Sequence, residues 1–279
     1  MNLAVLEKLD RRWLFLILGL LVLAPLLHPI GLPVFPSEPV RQFHDAIAKV
    51  PDGSVILMPC DYDPGSRPEL VPMNKTALRQ LFRKHCRVII LNLWPGGSLL
   101  TDQTLESVAQ EFRAAGHPLT YGVDYVDLGY KSGNEAVMVL MGQGIASTFP
   151  RDQRGNVTAS LPLMHEVSNY SSFPLLVNIS AGTPGTKEWV QQVNSRFHLP
   201  MVSGCTAVSA PEYYPYLQAG QLRGLLGGMA GAAEYEKLNG EKGPATQGMD
   251  GQSLAHVFIA VCIVLGNVIQ WSKRGGPRA

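Results

Sequence analysis

The sequence predicts an α/β protein: a Rossmann-like or flavodoxin-like three-layer sandwich with a mostly parallel sheet, flanked by two transmembrane helices. Three observations predict it. Short, almost wholly apolar runs (SVILMPCDY, RVIILNLW, PLLVNISA, LPMVSGCTAV) read as strands buried on both faces, the mark of a parallel sheet covered by helices on each side. Amphipathic segments follow those runs after short connections, giving strand and helix in alternation. Finally, an apolar stretch lies near each end of the chain.

The first stretch, Trp13 to Ile30, reads WLFLILGLLVLAPLLHPI and carries no formal charge. As a helix it rises roughly 27 Å, enough to cross a hydrocarbon core. A cleaved signal peptide is the competing reading; the length of the run, Pro25 and the lack of an A-x-A site favour an uncleaved anchor. The second, Ser253 to Trp271, reads SLAHVFIAVCIVLGNVIQW and ends on an interfacial Trp. A buried core helix is its alternative, against which stands the abrupt Ser272-Lys273-Arg274 flank. His256 and Asn267 are candidate helix–helix contacts, since polar groups in lipid seek partners, although His256 can also snorkel to the interface. Lys8, Arg11 and Arg12 precede the first stretch, and Lys273, Arg274 and Arg278 follow the second. Basic flanks stay cytoplasmic, so residues 1–12 and 272–279 are expected as cytoplasmic tails of an inner-membrane protein. The spans then fall at 13–30 and 253–271, with residues 31–252 as an extracytoplasmic domain.

Within that domain VRQFHDAIAKV places Val40, Phe43, Ile47 and Val50 at helical spacing, and Pro51-Asp52-Gly53 ends it. The first strand follows, then a loop, DPGSRPELVP, and a helix from MNKTALRQLFRKHC. RVIILNLW is the second strand, closed by Pro95-Gly96-Gly97; Thr101 is read as the cap of the helix DQTLESVAQEFRAAG. YGVDYVDLGY is a weaker third strand, GNEAVMVLMGQGIASTF a helix or a strand plus turn with helix favoured, and PRDQRGNVTAS an exposed excursion. PLLVNISA and TPGTKEWVQQVNSRF form the next strand and helix, and LPMVSGCTAV with APEYYPYLQAG repeats the arrangement, the latter segment as helix or turn. LRGLLGG reads as the last strand, and GMAGAAEYEKL as a short helix leading to the second apolar stretch.

Composition narrows the function classes. Net charge is +1, so no strong field points to nucleic acid, which is excluded as a partner. Four cysteines, one of them (Cys262) inside the second apolar stretch, exclude a disulfide framework while leaving room for one bridge. His44, His85, His117, His165 and His198 lack metal-ligand spacing, which argues against zinc.

Parallel sheets bind ligands beyond the carboxyl ends of their strands. Four segments converge there: Cys60-Asp61-Tyr62-Asp63, Trp94-Pro95-Gly96-Gly97, Ser180-Ala181-Gly182-Thr183 and Gly204-Cys205-Thr206. Asp61, Asp63, Trp94, Gly96, Gly97, Ser180, Gly182, Thr183, Cys205 and Thr206 are therefore the candidate ligand-binding residues. Asp61 and Asp63 form a D-x-D able to hold a divalent cation, or serve as turn residues before Pro64-Gly65. Ser180-Ala-Gly-Thr-Pro-Gly can present backbone N–H groups to an anion, or place Thr183 as N-cap with Pro184 at the first helical position. Cys205 is a candidate nucleophile without a visible base, a small buried cysteine, or the partner of Cys60 in a bridge. No residue is assigned as catalytic, and no cofactor is identified. GLLGGMAGAA reads as close helix–sheet packing, and Tyr213-Tyr214-Pro215-Tyr216 as a contact surface or core aromatics.

CDYDP, LWPGG, SAGTPGTKEWVQ, GCTAVSAPEYYPYLQAGQL and LLGGMAGAAEYE, followed by QSLAH and a terminal span, resemble an uncharacterised prokaryotic family of membrane-anchored α/β proteins. The resemblance implies a helix at each end and carries no activity. Three functions are expected in order: a non-catalytic subunit or scaffold in a membrane assembly, a small-ligand binding or sensing domain at the strand-end crevice, and a metal-dependent hydrolase or transferase on Asp61 and Asp63. The expected partners are membrane lipid and other membrane proteins or further copies of the chain.

Overall fold

The computed structural model describes residues 10–28 and 30–274, with side chains described as far as Trp271. Lys8 and Arg278, which entered the argument on sidedness, lie outside the described residues. The chain forms two compact units, Val34–Ala245 and the paired ends Met1–Pro33 with Thr246–Ala279.

The larger unit is built on six parallel strands: β1 (Val55–Asp61), β2 (Arg87–Asn92), β3 (Tyr125–Tyr130), β4 (Leu176–Ser180), β5 (Met201–Cys205) and β6 (Leu225–Gly227). Their order is β3-β2-β1-β4-β5-β6. That is the doubly wound Rossmann order, and it decides against the flavodoxin alternative, in which β1 lies between β2 and β3. The chain reverses direction across the sheet between β1 and β4, paired at Leu57–Leu176 and Asp61–Ser180.

Alternation along each strand assigns side chains to two helical layers. Val55 and Leu57 of β1, Ile89 and Leu91 of β2 and Leu176 of β4 join the core formed with α5 (Asn134–Met141), α7 (residues 186–197) and α8 (Ala210–Gln218). The opposite layer holds α2 (Glu38–Ala48), α3 (Arg67–Arg83), α4 (Ser98–Ala114) and α9 (Gly228–Leu238). A short α6 (Ile145–Thr148) precedes the long connection to β4. Gly224 sits where a Cβ would run into the backbone of α2 at Phe43, and Gly231 lies against the Leu226 backbone. GLLGGMAGAA is thus a close-packing segment, as its composition suggests.

Three expected boundaries move. The helix after β1 begins at Arg67 rather than at Met73, because Pro68 occupies its first turn, where a missing N–H costs nothing. Pro72, also expected in a loop, is buried inside the helix. Thr101 is not a cap: α4 starts at Ser98 with Gly97 as N-cap, and Thr101 is buried in its first turn. Nor does Thr183 cap α7, which starts at Thr186 behind Gly185.

The smaller unit pairs α1 (Arg11–Leu27) with α10 (Pro244–Arg274). Among the described residues one helix, over Pro244–Trp271, is long and apolar enough to cross a membrane. Its 28 residues rise roughly 42 Å, the thickness of a bilayer with its headgroups. It begins nine residues before the expected Ser253. Helix α1 has 17 residues, beginning at Arg11 and ending at Leu27, roughly 26 Å, because His28 is extended, as residues before proline tend to be. Leu14, Leu18, Leu21 and Pro25 of α1 are its more buried positions, and Leu254, Phe258, Cys262, Leu265 and Ile269 are partly buried apolar positions of α10. Gly251 lies against the carbonyl of Val22. Asp250, 1% exposed, accepts hydrogen bonds from the backbone N–H groups of Ile30, Gly31 and Leu32 at 3.0, 2.8 and 2.8 Å.

Candidate functional site

Three of the four segments pack together at the strand ends. The Trp94 ring lies against Gly182, whose Cβ would stand 3.5 Å from it, and Gly96 lies beside Asp63. Gly97 is the tightest point, for a Cβ there would meet the carbonyl oxygens of Tyr62 and Cys60 at 2.7 and 3.1 Å. Glycine at 97 lets the start of α4 close over the end of β1. The segment after β5 joins from the other side, where the Ala207 N–H donates to Glu69 of α3 at 2.8 Å.

Asp61 and Asp63 do not share a site. Alternation sends Asp61 to the α7 side of the sheet, fully buried. Its carboxylate accepts from the Leu93 N–H at 2.5 Å and from the Trp189 indole at 3.3 Å. Burial pushes its pKa up to about 7, against these donors and the Trp94 N–H, which favour the charged form. Asp63 instead caps the turn before α3, accepting from the Ser66 N–H and hydroxyl at 3.0 Å each. Among the described residues no group of three His, Cys, Asp or Glu side chains is placed to hold a metal ion.

The Ser180–Gly185 turn is anchored internally at both ends, with the Ala181 N–H donating to the Asp61 carbonyl at 2.9 Å. Gly185 N–H donates to Glu188 at 2.8 Å, and Thr186 N–H to the Ser180 hydroxyl at 3.1 Å. Beneath it Asn178 Oδ1 accepts from Ser180, Thr186 and Ser203 at 2.9, 3.1 and 3.1 Å. This buried polar cluster couples β4, β5 and α7. Thr183 itself stays exposed.

Cys205 is buried, with its thiol pushed up to about 12 by burial, and its Sγ contacts the Leu226 carbonyl at 3.5 Å. A thiolate nucleophile needs the opposite shift. Cys60 and Cys205 are both free. They occupy β1 and β5, which β4 separates, so their backbones lie about 9–10 Å apart, beyond disulfide reach. Thr206 bonds to the Ser209 hydroxyl at 3.0 Å.

A second polar cluster on the α3–α4 side joins Tyr62 to Asn74 at 2.7 Å and Asn92 to Thr101 at 3.0 Å, with Asn92 also donating to the Cys60 carbonyl. Trp189, Asn178, Asn92 and Ser203 were not among the candidates. For Asn178, Asn92 and Ser203 the sequence signal is a polar residue inside an apolar run, as in LLVNIS and VIILNLW. Comparison with known protein families, with curated proteins and with solved structures finds no match to this chain.

Proposed function

We propose that the chain is a membrane component without chemistry of its own, anchored by a two-span hairpin that docks a neighbouring membrane helix. The observation that carries this reading is the placement of His256 and Asn267, both exposed on α10. Eleven residues apart, they differ by about 20° around the helix. They lie nearly opposite the seam of Leu254, Phe258, Cys262 and Leu265, and among the described residues Asn267 bonds back to its own helix, at Ile263 O, 3.0 Å away. Polar groups aligned along one lipid-facing stripe call for a helix partner. The internal engagement of Asp61, Asp63, Glu188 and Cys205 supports a non-catalytic role. On this reading both tails are cytoplasmic and the α/β unit is extracytoplasmic.

In mild detergent the full-length protein is expected to run well above the mass of one chain, and His256→Leu with Asn267→Leu to bring it down to that mass. A wild-type protein already at one-chain mass refutes the docking. Labelling of Ser160→Cys in whole cells by an impermeant maleimide tests the sidedness; protection in intact cells and labelling after lysis would reverse it.

A second reading, a small polar ligand where β1 meets α4, is favoured by Asn74 Oδ1, Asn92 Oδ1 and Ser98 Oγ, buried there without hydrogen-bond partners. A metabolite screen by thermal shift tests it. A hit that persists in Asn92→Ala would remove the site.

A further inference from the structure

We propose that the α/β unit carries a binding groove for a phosphate ester on the outer face of α3. Arg67, Val71 and Lys75 follow at four-residue spacing and share one face of the helix, which Pro68, Pro72 and Pro244 close into a groove of about 310 Å³. Neither cation forms an ion pair among the described residues, although the Lys75 charge helps to lower the pKa of Glu111 from a distance. Arg67 is exposed without an ion pair, and Lys75 donates only to the neutral Ser107 hydroxyl at 2.8 Å. The neighbouring acids are engaged elsewhere: Asp63 on Ser66, Glu69 on Ala207, and Glu111 on Arg79. One turn further on, Arg79 is paired with both Glu111 and Glu241, so cationic side chains on this helix are neutralised except at the groove.

Two cations beside a proline-walled apolar floor suit a phosphate oxyanion carrying a small organic group. Pro244 points to the source. It lines the groove and is also the first residue of the candidate span, where a helix matched to the full bilayer thickness meets the headgroup phosphates. The Ala245 N–H, held by Glu236 at 3.1 Å, fixes this point of the chain. The inference does not rest on the docking face of α10.

The test uses the full-length protein in a non-ionic detergent, with melting followed by tryptophan fluorescence. Monomeric dihexanoyl phosphatidylglycerol is one probe, inorganic phosphate and glycerol 1-phosphate are the second and third, and dihexanoyl phosphatidylcholine is the zwitterionic control. At tenfold over half-saturation the phosphatidylglycerol shift is expected to be about 3–6 °C, and to be lost in Arg67→Gln with Lys75→Gln. Val71→Glu, which sets a carboxylate between the two cations, is expected to abolish it as well while both cations remain. An equal shift with inorganic phosphate or glycerol 1-phosphate supports the groove and assigns it to a soluble ester. Absence of a shift with all three anionic probes, a shift that survives in both variants, or an equal shift with phosphatidylcholine overturns the proposal.

Discussion

Asp61→Asn is the most informative perturbation of the sheet's reversal point, because the direction of its effect is expected to change with pH. Burial raises the Asp61 pKa from 3.8 in the unfolded chain to about 7 in the fold. Between those values the folded state holds a proton that the unfolded state has released, so stability falls as pH rises through this window and is level above it. Roughly three pKa units correspond to about 4 kcal/mol between pH 4 and pH 8. Asparagine removes this dependence, but its amide offers one acceptor where Leu93 N–H and the Trp189 indole both donate. One donor is left unsatisfied at every pH, at about 1–3 kcal/mol. The variant should therefore gain on wild type as pH rises, the two melting curves crossing between about pH 4.5 and pH 6 and the variant melting above wild type at pH 8. Asp127, whose pKa burial also raises to about 7, contributes in both proteins and cancels in the difference. The assay is the melting temperature of the full-length protein in detergent from pH 4.5 to 8.5, read by tryptophan fluorescence, since Trp189 touches the carboxylate. Parallel curves for the two proteins would refute the claim that Asp61 is protonated in the fold near neutrality.

Other perturbations follow from the packing. Gly224→Ala drives a methyl into the α2 backbone at Phe43 and should cost about 3 kcal/mol by urea unfolding, whereas Gly266→Ala, with nothing within 4 Å, should be neutral or better. Thr186→Val removes a hydroxyl shared by Asn178 and Ser203, at 3.1 and 2.6 Å, and should cost about 1–3 kcal/mol; a neutral result in the same urea assay would show that the cluster adds nothing. Asp250→Ala leaves the N–H groups of Ile30, Gly31 and Leu32 without their carboxylate, and local opening easier by about 2 kcal/mol should speed exchange of these three amides on the order of thirtyfold. Hydrogen–deuterium exchange at Ile30, Gly31 and Leu32 measures it, and unchanged rates would show that the carboxylate does not hold this turn.

The sheet was legible because a buried parallel strand announces itself by length and apolarity. VILMPCD, RVIILN, LVNIS and MVSGC all became strands within the runs read as such. Their order was not legible: Rossmann and flavodoxin sheets differ in where the crossover after β2 places β3, and strand composition carries no mark of that choice. Proline misled at Pro68, since loop statistics ignore that the first turn of a helix has no N–H to lose, while Pro72 lies inside the helix, where its ring is buried at the cost of one backbone bond. Three of the four strand-end segments pack together, yet their roles depend on facts that spacing does not hold. Asp61 and Asp63 look like a pair in sequence, but the two face different partners once the chain leaves the strand, which a count of carboxylates cannot show. Asp250 escaped notice because, from sequence, an acid three residues before an apolar run reads as a solvated flank.

Helix α9 holds both ends of the α/β unit. Its sequence divides into halves with different work. The first, GMAGAA, lacks bulk, so Gly228 and Gly231 can lie against Ala207 and Leu226 and bring the helix onto the sheet. The second half, Glu234 to Lys237, supplies the groups that hold both ends of the unit. Glu234 accepts from Ser37 N–H at 2.8 Å, Lys237 donates to the Val34 carbonyl, and Glu236 accepts from Ala245 N–H at 3.1 Å. The chain thus enters and leaves the α/β unit on neighbouring turns of one helix.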